Sequence, residues 1–308
     1  MPLACDLRGS GPGVFTVSQN LIGGALRFVV WLVSLLPLRA ARAVGRFAGR
    51  VMWWSGGRAA TVTRENIDRC FPQLDDARRR EMACQSLQHT GTLAMESGVL
   101  WHWSDARWQA ALIGLDGMDL IHEAQASGRS VLVLVPHFGN WEFFALLLGP
   151  LGYVCLYDPP RIESLEKDMV KARERTGGTL LPIGRRGVRT LAKNLDEGGI
   201  SVLLPDQVPD PKSGVMASFY GQDALTMTLV QKLARRADCV AVASIMRVPG
   251  GFDVLIEKVP EAVGHEDAVL AANALNQMVE RVVARDPVQY QWEYKRFKQP
   301  RQGKAVSF

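Results

Sequence analysis

The sequence predicts an α/β fold: a central mixed sheet flanked by helices, with N-terminal membrane-associated helices ahead of it. Three observations carry this. From residue 115 onward, short apolar, β-branched runs alternate with helical patterns, as in a sheet covered on both faces. Before that lie an apolar run and then a strongly basic one. The chain has 308 residues, enough for a full core, and no linker-like stretch divides its interior.

The elements follow in order. Residues 1–20 are Gly-rich and read as a disordered extension. Residues 21–38 are mostly apolar but interrupted by Arg27, and a spanning helix needs roughly 20 apolar residues, so this is a marginal membrane anchor. Arg39, Arg42, Arg46 and Arg50 then fall three, four and four residues apart, one stripe on a helix. Val44, Phe47, Val51, Trp53 and Trp54 fill much of the remaining surface. That pattern describes a helix in the membrane interface; the alternative is the charged face of a helix packed on the core. Arginines after the apolar run place the bulk of the chain on the cytoplasmic side. Residues 75–103 read as a helix capped by Asp75 or Asp76. Strands are expected at 130–135, 153–156, 179–182, 200–204, 240–247 and 252–257, with helices at 141–148, 162–176, 188–196 and 226–237. The organisation is therefore an extension (1–20), an anchor and interfacial helix (21–58), a catalytic domain (59–300) and a basic tail (301–308).

Composition narrows the function. The net charge of +5 suits anionic lipid or an acidic protein. Nucleic acid is disfavoured, because no helix-turn-helix, zinc finger or aromatic-basic motif is present. The five cysteines are scattered with no C-x-x-C pair, which argues against a disulfide framework or a zinc site. They read as reduced thiols in the cytoplasm. No metal or cofactor is called for.

The chemistry concentrates in Val135-Pro136-His137-Phe138-Gly139-Asn140-Trp141-Glu142. His137 stands just past a buried strand, where open α/β sheets place their sites. If the chain turns at Gly139, Glu142 at the start of the next helix can reach back as a capping-box glutamate does. A carboxylate beside an imidazole fixes its tautomer and stabilises the imidazolium. The plainer alternative is a core histidine next to an ordinary capping glutamate. Arg173 and Arg175 are two apart on a predicted helix, so at most one faces the site, Arg173 being the choice; the alternative is a solvated helix face. Asp206 and Arg247 each end a strand; the first lines the same mouth or is a turn residue, the second is a weaker candidate. Lys295, Arg296, Lys298, Arg301 and Lys304 form a basic C-terminal patch, either solvated or a contact for an anion.

These residues resemble a known pattern. The segment is similar to the H-x-x-x-x-[DE] motif of the glycerolipid acyltransferase superfamily, and His-Phe-Gly-Asn-Trp-Glu resembles its lipid A biosynthesis branch, the late lauroyl and myristoyl acyltransferases. The resemblance runs from about 21 to 300. It includes Asn66-Ile67 with Cys70-Phe71-Pro72, the segment 157–161, Arg173-x-Arg175-x-Gly177, Pro205-Asp206-Gln207, Phe219-Tyr220-Gly221, and Pro287, Gln289, Tyr290, Trp292, Arg296, Phe297 and Lys298. Asp158 stands where the family usually has arginine, and Arg161 is the nearby substitute for phosphate binding. The resemblance implies that His137 takes the proton of an acceptor hydroxyl while Glu142 orients it. It implies direct transfer with no acyl-enzyme, in keeping with the lack of a Gly-x-Ser-x-Gly elbow. It implies substrate contacts from Arg161, Arg173, Arg175, Asp206, Gln207, Arg296 and Lys298, with Arg173 the leading donor to an oxyanion or phosphate; Arg247 is added only because it ends a strand. The implied donor is acyl carrier protein, the acceptor a lipid A precursor, and the location the inner membrane. Acylation of another glycolipid or phospholipid is the neighbouring alternative; a non-catalytic membrane lipid-binding protein is the alternative of another class.

Overall fold

The computed structural model describes residue 24 and residues 27–160 and 163–297. The predicted extension, part of the anchor, Arg161, Lys298 and the basic tail lie outside the described residues.

The sheet has seven strands: β1 (Leu112–Asp116), β2 (Val131–Leu134), β3 (Tyr153–Tyr157), β4 (Thr179–Pro182), β5 (Ile200–Leu203), β8 (Cys239–Val248) and β9 (Gly251–Lys258), in the order β1-β9-β8-β2-β5-β3-β4. All neighbours run parallel except β8 and β9, which form a hairpin, so the sheet is mixed as expected. At the centre, Leu134 pairs with Leu203 on one side and Val242 on the other. The chain therefore leaves β2 and β5 at one common edge. Both strands are buried throughout, since helices cover both faces. Val131, Val133 and Val135 enter one core, whereas Leu132 and Leu134 enter the other.

The first core lies against α6 (Asp119–Ala126), α7 (Phe144–Leu148) and the end of α4 (Asp76–Leu100). The second is closed by α3 (Arg58–Cys70), α9 (Arg185–Asp196), α10 (Leu229–Ala234) and α11 (Ala268–Ala284). The predicted helix at 162–176 is α8 (Glu163–Glu174). The cap of α4 is Asp75, whose carboxylate accepts from Arg78 N at 2.8 Å. Helices α3 and α11 were not expected from the sequence.

Two expectations near residue 226 change. A hairpin, β6 (Gly214–Phe219) and β7 (Gln222–Met227), stands apart from the main sheet. Its two-residue turn has φ of 50° at Tyr220 and 73° at Gly221, the primed geometry that matches strand twist. Thr226 thus belongs to a strand, and the helix expected at 226–237 shortens to α10.

The N-terminal part also departs from expectation. A helical stretch over 27–34, α1, precedes α2 (Leu38–Trp54). No helix among the described residues is long and apolar enough to cross a membrane. Helix α2 packs on α4 through glycines. A Cβ on Gly49 would stand 2.1 Å from Leu87 O, and one on Gly91 2.3 Å from Gly45 O. That close contact turns Ala41, Arg42, Gly45 and Gly49 inward. Arg42 is therefore not part of an outward stripe. Arg39, Arg46 and Arg50 stay exposed, beside Val44, Phe47, Val51 and Trp54.

Gly49→Val tests this contact. The branched side chain has nowhere to go against the Leu87 carbonyl, and overpacking of this kind costs about 1–3 kcal/mol. The variant should melt several degrees lower in detergent, and protease should cut between α2 and α3 sooner than in the wild type.

Candidate active site

The site forms at the edge where β2 and β5 end. After Leu134 the chain runs through Val135 and Pro136 to His137, then reverses at Gly139, whose φ is 58°. Only glycine fits there: a Cβ would stand 1.8 Å from Ile245 O. The loop is tied down on both sides. Gly139 N donates to Gln289 O at 2.9 Å, Asn140 N to Ile245 O at 2.9 Å, and Gln291 N to His137 O at 3.1 Å. The C-terminal motif around 287–292 thus cradles the loop that carries His137. Asn66 anchors the cradle, donating 2.7 Å hydrogen bonds to Trp292 O and Tyr294 O.

His137 is 8% exposed, and its ring is held at both nitrogens. Nδ1 lies 2.7 Å from Asp206 Oδ1, while His137 N donates to Asp206 Oδ2 at 2.9 Å. Gln207 Nε2 lies 3.0 Å from Nε2. An aspartate accepts and an amide nitrogen donates, so the arrangement defines the tautomer: the proton sits on Nδ1, and the Nε2 lone pair is free to accept. Gln207 is exposed, so its amide marks the side from which a hydroxyl would reach Nε2. Burial alone would push the Asp206 carboxyl up. The electrostatic interaction with the His137 ring and the hydrogen bonds from His137 outweigh that and hold it below the usual carboxylate range.

The carboxylate on the imidazole is therefore Asp206, not Glu142 as the motif suggested. Glu142 is buried and bound to Arg173: Arg173 Nε donates to Oε2 at 2.8 Å, and Nη2 bonds Oε1. The Arg173 guanidinium covers the Trp141 ring at 5.4 Å, and Trp141 in turn meets His137 edge-on at 5.2 Å. Glu142 and Arg173 so brace one wall of the histidine pocket.

The other expected residues separate. Arg175 turns away from Glu142, to Leu100 O at 3.3 Å and Asp105 at 3.7 Å. It lines a cavity of about 510 Å³ with Arg27, Trp31, Trp101 and Lys171. Arg247 is buried at the end of β8, with Nε donating to Glu96 Oε2 at 2.6 Å. Arg296 is corrected outright. At 3% exposure it is no part of a surface patch; it donates to Leu225 O, Thr226 Oγ1 and Asn276 Oδ1 and fastens the C-terminal segment to the β6–β7 hairpin. Arg161 and Lys298 lie outside the described residues.

Glu96 was missed by the sequence reading. It is fully buried on α4 and joins Arg42, Arg247 and Asn140. Its one visible signal is a lone acid within a run of small and apolar residues, 91–98.

Cys70 and Cys155 are poor nucleophiles. Burial pushes the thiols of Cys70 and Cys155 up to about 12, so both stay protonated at neutral pH. Among the described residues no group of three His, Cys, Asp or Glu side chains could hold a metal ion.

A histidine just past a central parallel strand, with Nδ1 held by an aspartate that follows the neighbouring strand, has the geometry that general-base chemistry uses. The comparisons narrow the class. Residues 18–299 match the family model described as bacterial lipid A biosynthesis acyltransferase. The chain is 28% identical over 281 residues to the lipid A biosynthesis lauroyltransferase of Escherichia coli (strain K12), covering 88% of this chain and 89% of that protein. It is 27% identical over 278 residues to that strain's palmitoleoyltransferase, with 88% and 89% covered. Its identity to the same strain's myristoyltransferase is 24% over 278 residues, with 86% and 82% covered. The chain belongs to the bacterial lipid A biosynthesis acyltransferase family.

Asp206→Asn separates the two carboxylates. An asparagine can donate to Nδ1 and so flip the tautomer, which removes general-base help worth about 10²–10⁴-fold in rate. Expected is a folded enzyme with kcat reduced on that scale. The pH dependence has a definite sign. A carboxyl held below its unfolded value of 3.8 contributes stability that is full above that value and lost as pH falls through the folded one. Melting temperature should thus decline less steeply in acid for Asp206→Asn than for the wild type.

Proposed function

We propose that the protein transfers a fatty acyl chain from acyl carrier protein to a hydroxyl of a lipid A precursor, at the cytoplasmic face of the inner membrane. The observation that carries the reaction is the His137 ring, with its proton fixed on Nδ1 by Asp206 and its Nε2 facing Gln207. Family membership supports the substrate class.

In this reading an acceptor hydroxyl displaces the Gln207 amide and donates its proton to His137 Nε2. The oxygen attacks the thioester carbonyl, and an addition intermediate forms. The C–S bond then breaks, and the departing sulfur takes the proton from the imidazolium. An ester and a free thiol result, and His137 returns to its starting state. Asp206 stabilises the imidazolium between these steps and, at 2% side-chain exposure, does so away from competing water. No side chain of the chain forms a bond to the acyl group. Arg173, already committed to Glu142, shapes the pocket wall rather than reaching for a phosphate.

The acceptor hydroxyl is that of a 3-hydroxyacyl chain already on the disaccharide, so the product is an acyloxyacyl ester. The membrane is supported by the outward face of the N-terminal helices. Phe28, Trp31, Leu35, Phe47, Val51 and Trp54 are exposed there, close to Arg39, Arg46 and Arg50. Aromatic and aliphatic side chains beside arginines suit a helix lying in the interface of an anionic bilayer.

The direct test incubates purified protein with acyl carrier protein-bound fatty acid and a tetraacyl lipid A precursor. The product should gain one ester-linked chain, and His137→Ala should lose about 10²–10⁴-fold in rate while remaining folded. Transfer only to a lysophospholipid would replace the acceptor in this reading; near-normal turnover by a folded His137→Ala would end the general-base assignment. In fractionation the protein should pellet with membranes and resist a high-salt wash, because burial of apolar surface is not screened by salt. Recovery in the soluble fraction without detergent would remove the membrane from the proposal.

A further inference from the structure

The inward turn of Arg42 creates a contact that the transfer mechanism does not use. Arg42 Nε donates to Glu96 Oε1 at 2.5 Å, while its Nη1 and Nη2 donate to Val248 O at 2.7 Å and Gly251 O at 2.8 Å. One side chain thus binds α2 both to α4 and to the turn between β8 and β9. Glu96 Oε2 accepts from two further donors, Arg247 Nε at 2.6 Å and Asn140 Nδ2 at 2.8 Å. Asn140 lies in the loop that carries His137, three residues on, and its backbone is already fixed to Ile245. A single carboxylate, fully buried, is therefore shared by the N-terminal helix, the end of a central strand and the active-site loop.

We propose that Glu96 is a positioning residue for acyl transfer, coupling the seat of α2 on the domain to the loop that holds His137. Both carboxylate oxygens are occupied, one by α2 and the other by the loop and β8. Displacing Arg42 therefore frees the carboxylate to follow Arg247, and the Asn140 bond shifts with it. The glycine contact of α2 with α4 supplies the rigid seat. Core packing alone does not require this arrangement. Burying two guanidiniums on one carboxylate is an unfavourable way to fill space, since buried ionic groups can often be replaced by apolar ones without loss of stability. The proposal rests on the acyltransferase reading for its effect on rate. Its structural part, the order of the His137 loop, can be read without substrate.

The first variant is Arg42→Met. It removes the α2 arm but leaves Glu96 balanced by Arg247 alone, so no uncompensated charge is buried and the fold should persist. Asn140→Ala removes the other link while leaving Arg42, Glu96 and Arg247 together. The substrate-free readout is the rate at which diethyl pyrocarbonate modifies His137, followed by mass spectrometry. Both variants should be modified at least about three-fold faster than the wild type under conditions where each is fully folded, as expected when a loop opens locally. In the acyl-transfer assay, kcat should fall at least about five-fold with KM changed less than about two-fold, the signature of a misplaced reacting group rather than a lost binding contact. Arg42→Lys, which can make only part of the contact, should lie between. Modification of His137 at the wild-type rate in either folded variant, or an unchanged kcat, would overturn the proposal; if Arg42→Met does not fold, Asn140→Ala decides. Failure of the wild type to acylate any lipid A precursor would instead count against the proposed function, and the modification rates would still decide the role of Glu96.

Discussion

Everything at the active edge depends on β2 and β5 running parallel and ending level. Each strand delivers one polar residue just beyond its last ladder pair, His137 from β2 and Asp206 from β5. The pairing of Leu134 with Leu203 sets the distance between them. A shift of one residue in that register would turn every side chain of the strand to the opposite face. The two cores prevent the slip, because Val131 and Val133 fit one and Leu132 and Leu134 the other. Apolar packing on two faces thus fixes a 2.7 Å hydrogen bond at the strand ends. Backbone bonding reinforces it, since the same aspartate that orients the ring also binds the His137 amide.

The sequence showed much of this frame. Six of the strands that build the sheet could be located from apolar runs, and the position of His137 after a strand follows from them. Asp206 could be placed at the same mouth because it too ends a strand, but not as the carboxylate that binds the imidazole. Glu142 is five residues from His137, and Asp206 is 69 away. Local spacing favours the near carboxylate, whereas strand order, a tertiary property, selects the far one. Edge strand β1 and the β6–β7 hairpin were not anticipated. The hairpin turn needs positive φ at Tyr220, which a tyrosine does not advertise. Arg42 and Arg296 misled in the same way. Charge implies solvent until the fold provides enough acceptors to bury it, and three acceptors meet each of these guanidiniums.

Besides His137 and Asp206, two sets of buried ion pairs among the described residues touch the segment that carries His137. Glu142 and Arg173 stand between α7, α8 and the Trp141 ring, on one flank of His137. Glu96 gathers Arg42, Arg247 and Asn140, the last of them in the loop that carries His137. Neither set touches the imidazole. Such pairs contribute little net stability compared with apolar residues of similar volume, because desolvation offsets most of the attraction. What they do supply is direction, since a guanidinium fork and a carboxylate meet in few geometries.

Directionality is what a base at this position requires. In the proposed reaction Nε2 faces a hydroxyl carried on a lipid, so the orientation of the ring matters as much as its protonation. The ring is oriented by the sheet through Asp206, and the sheet is oriented relative to α2 by Arg42 and the glycine contact with α4. The outward face of α2 carries the aromatic and basic side chains suited to a bilayer surface. A continuous chain of rigid contacts therefore runs from that surface to the imidazole: Arg42 to Glu96, Glu96 to Asn140, and the loop to His137. The seat of α2 reaches the sheet at the turn between β8 and β9, and β8 pairs directly with β2, the strand that leads into the loop with His137.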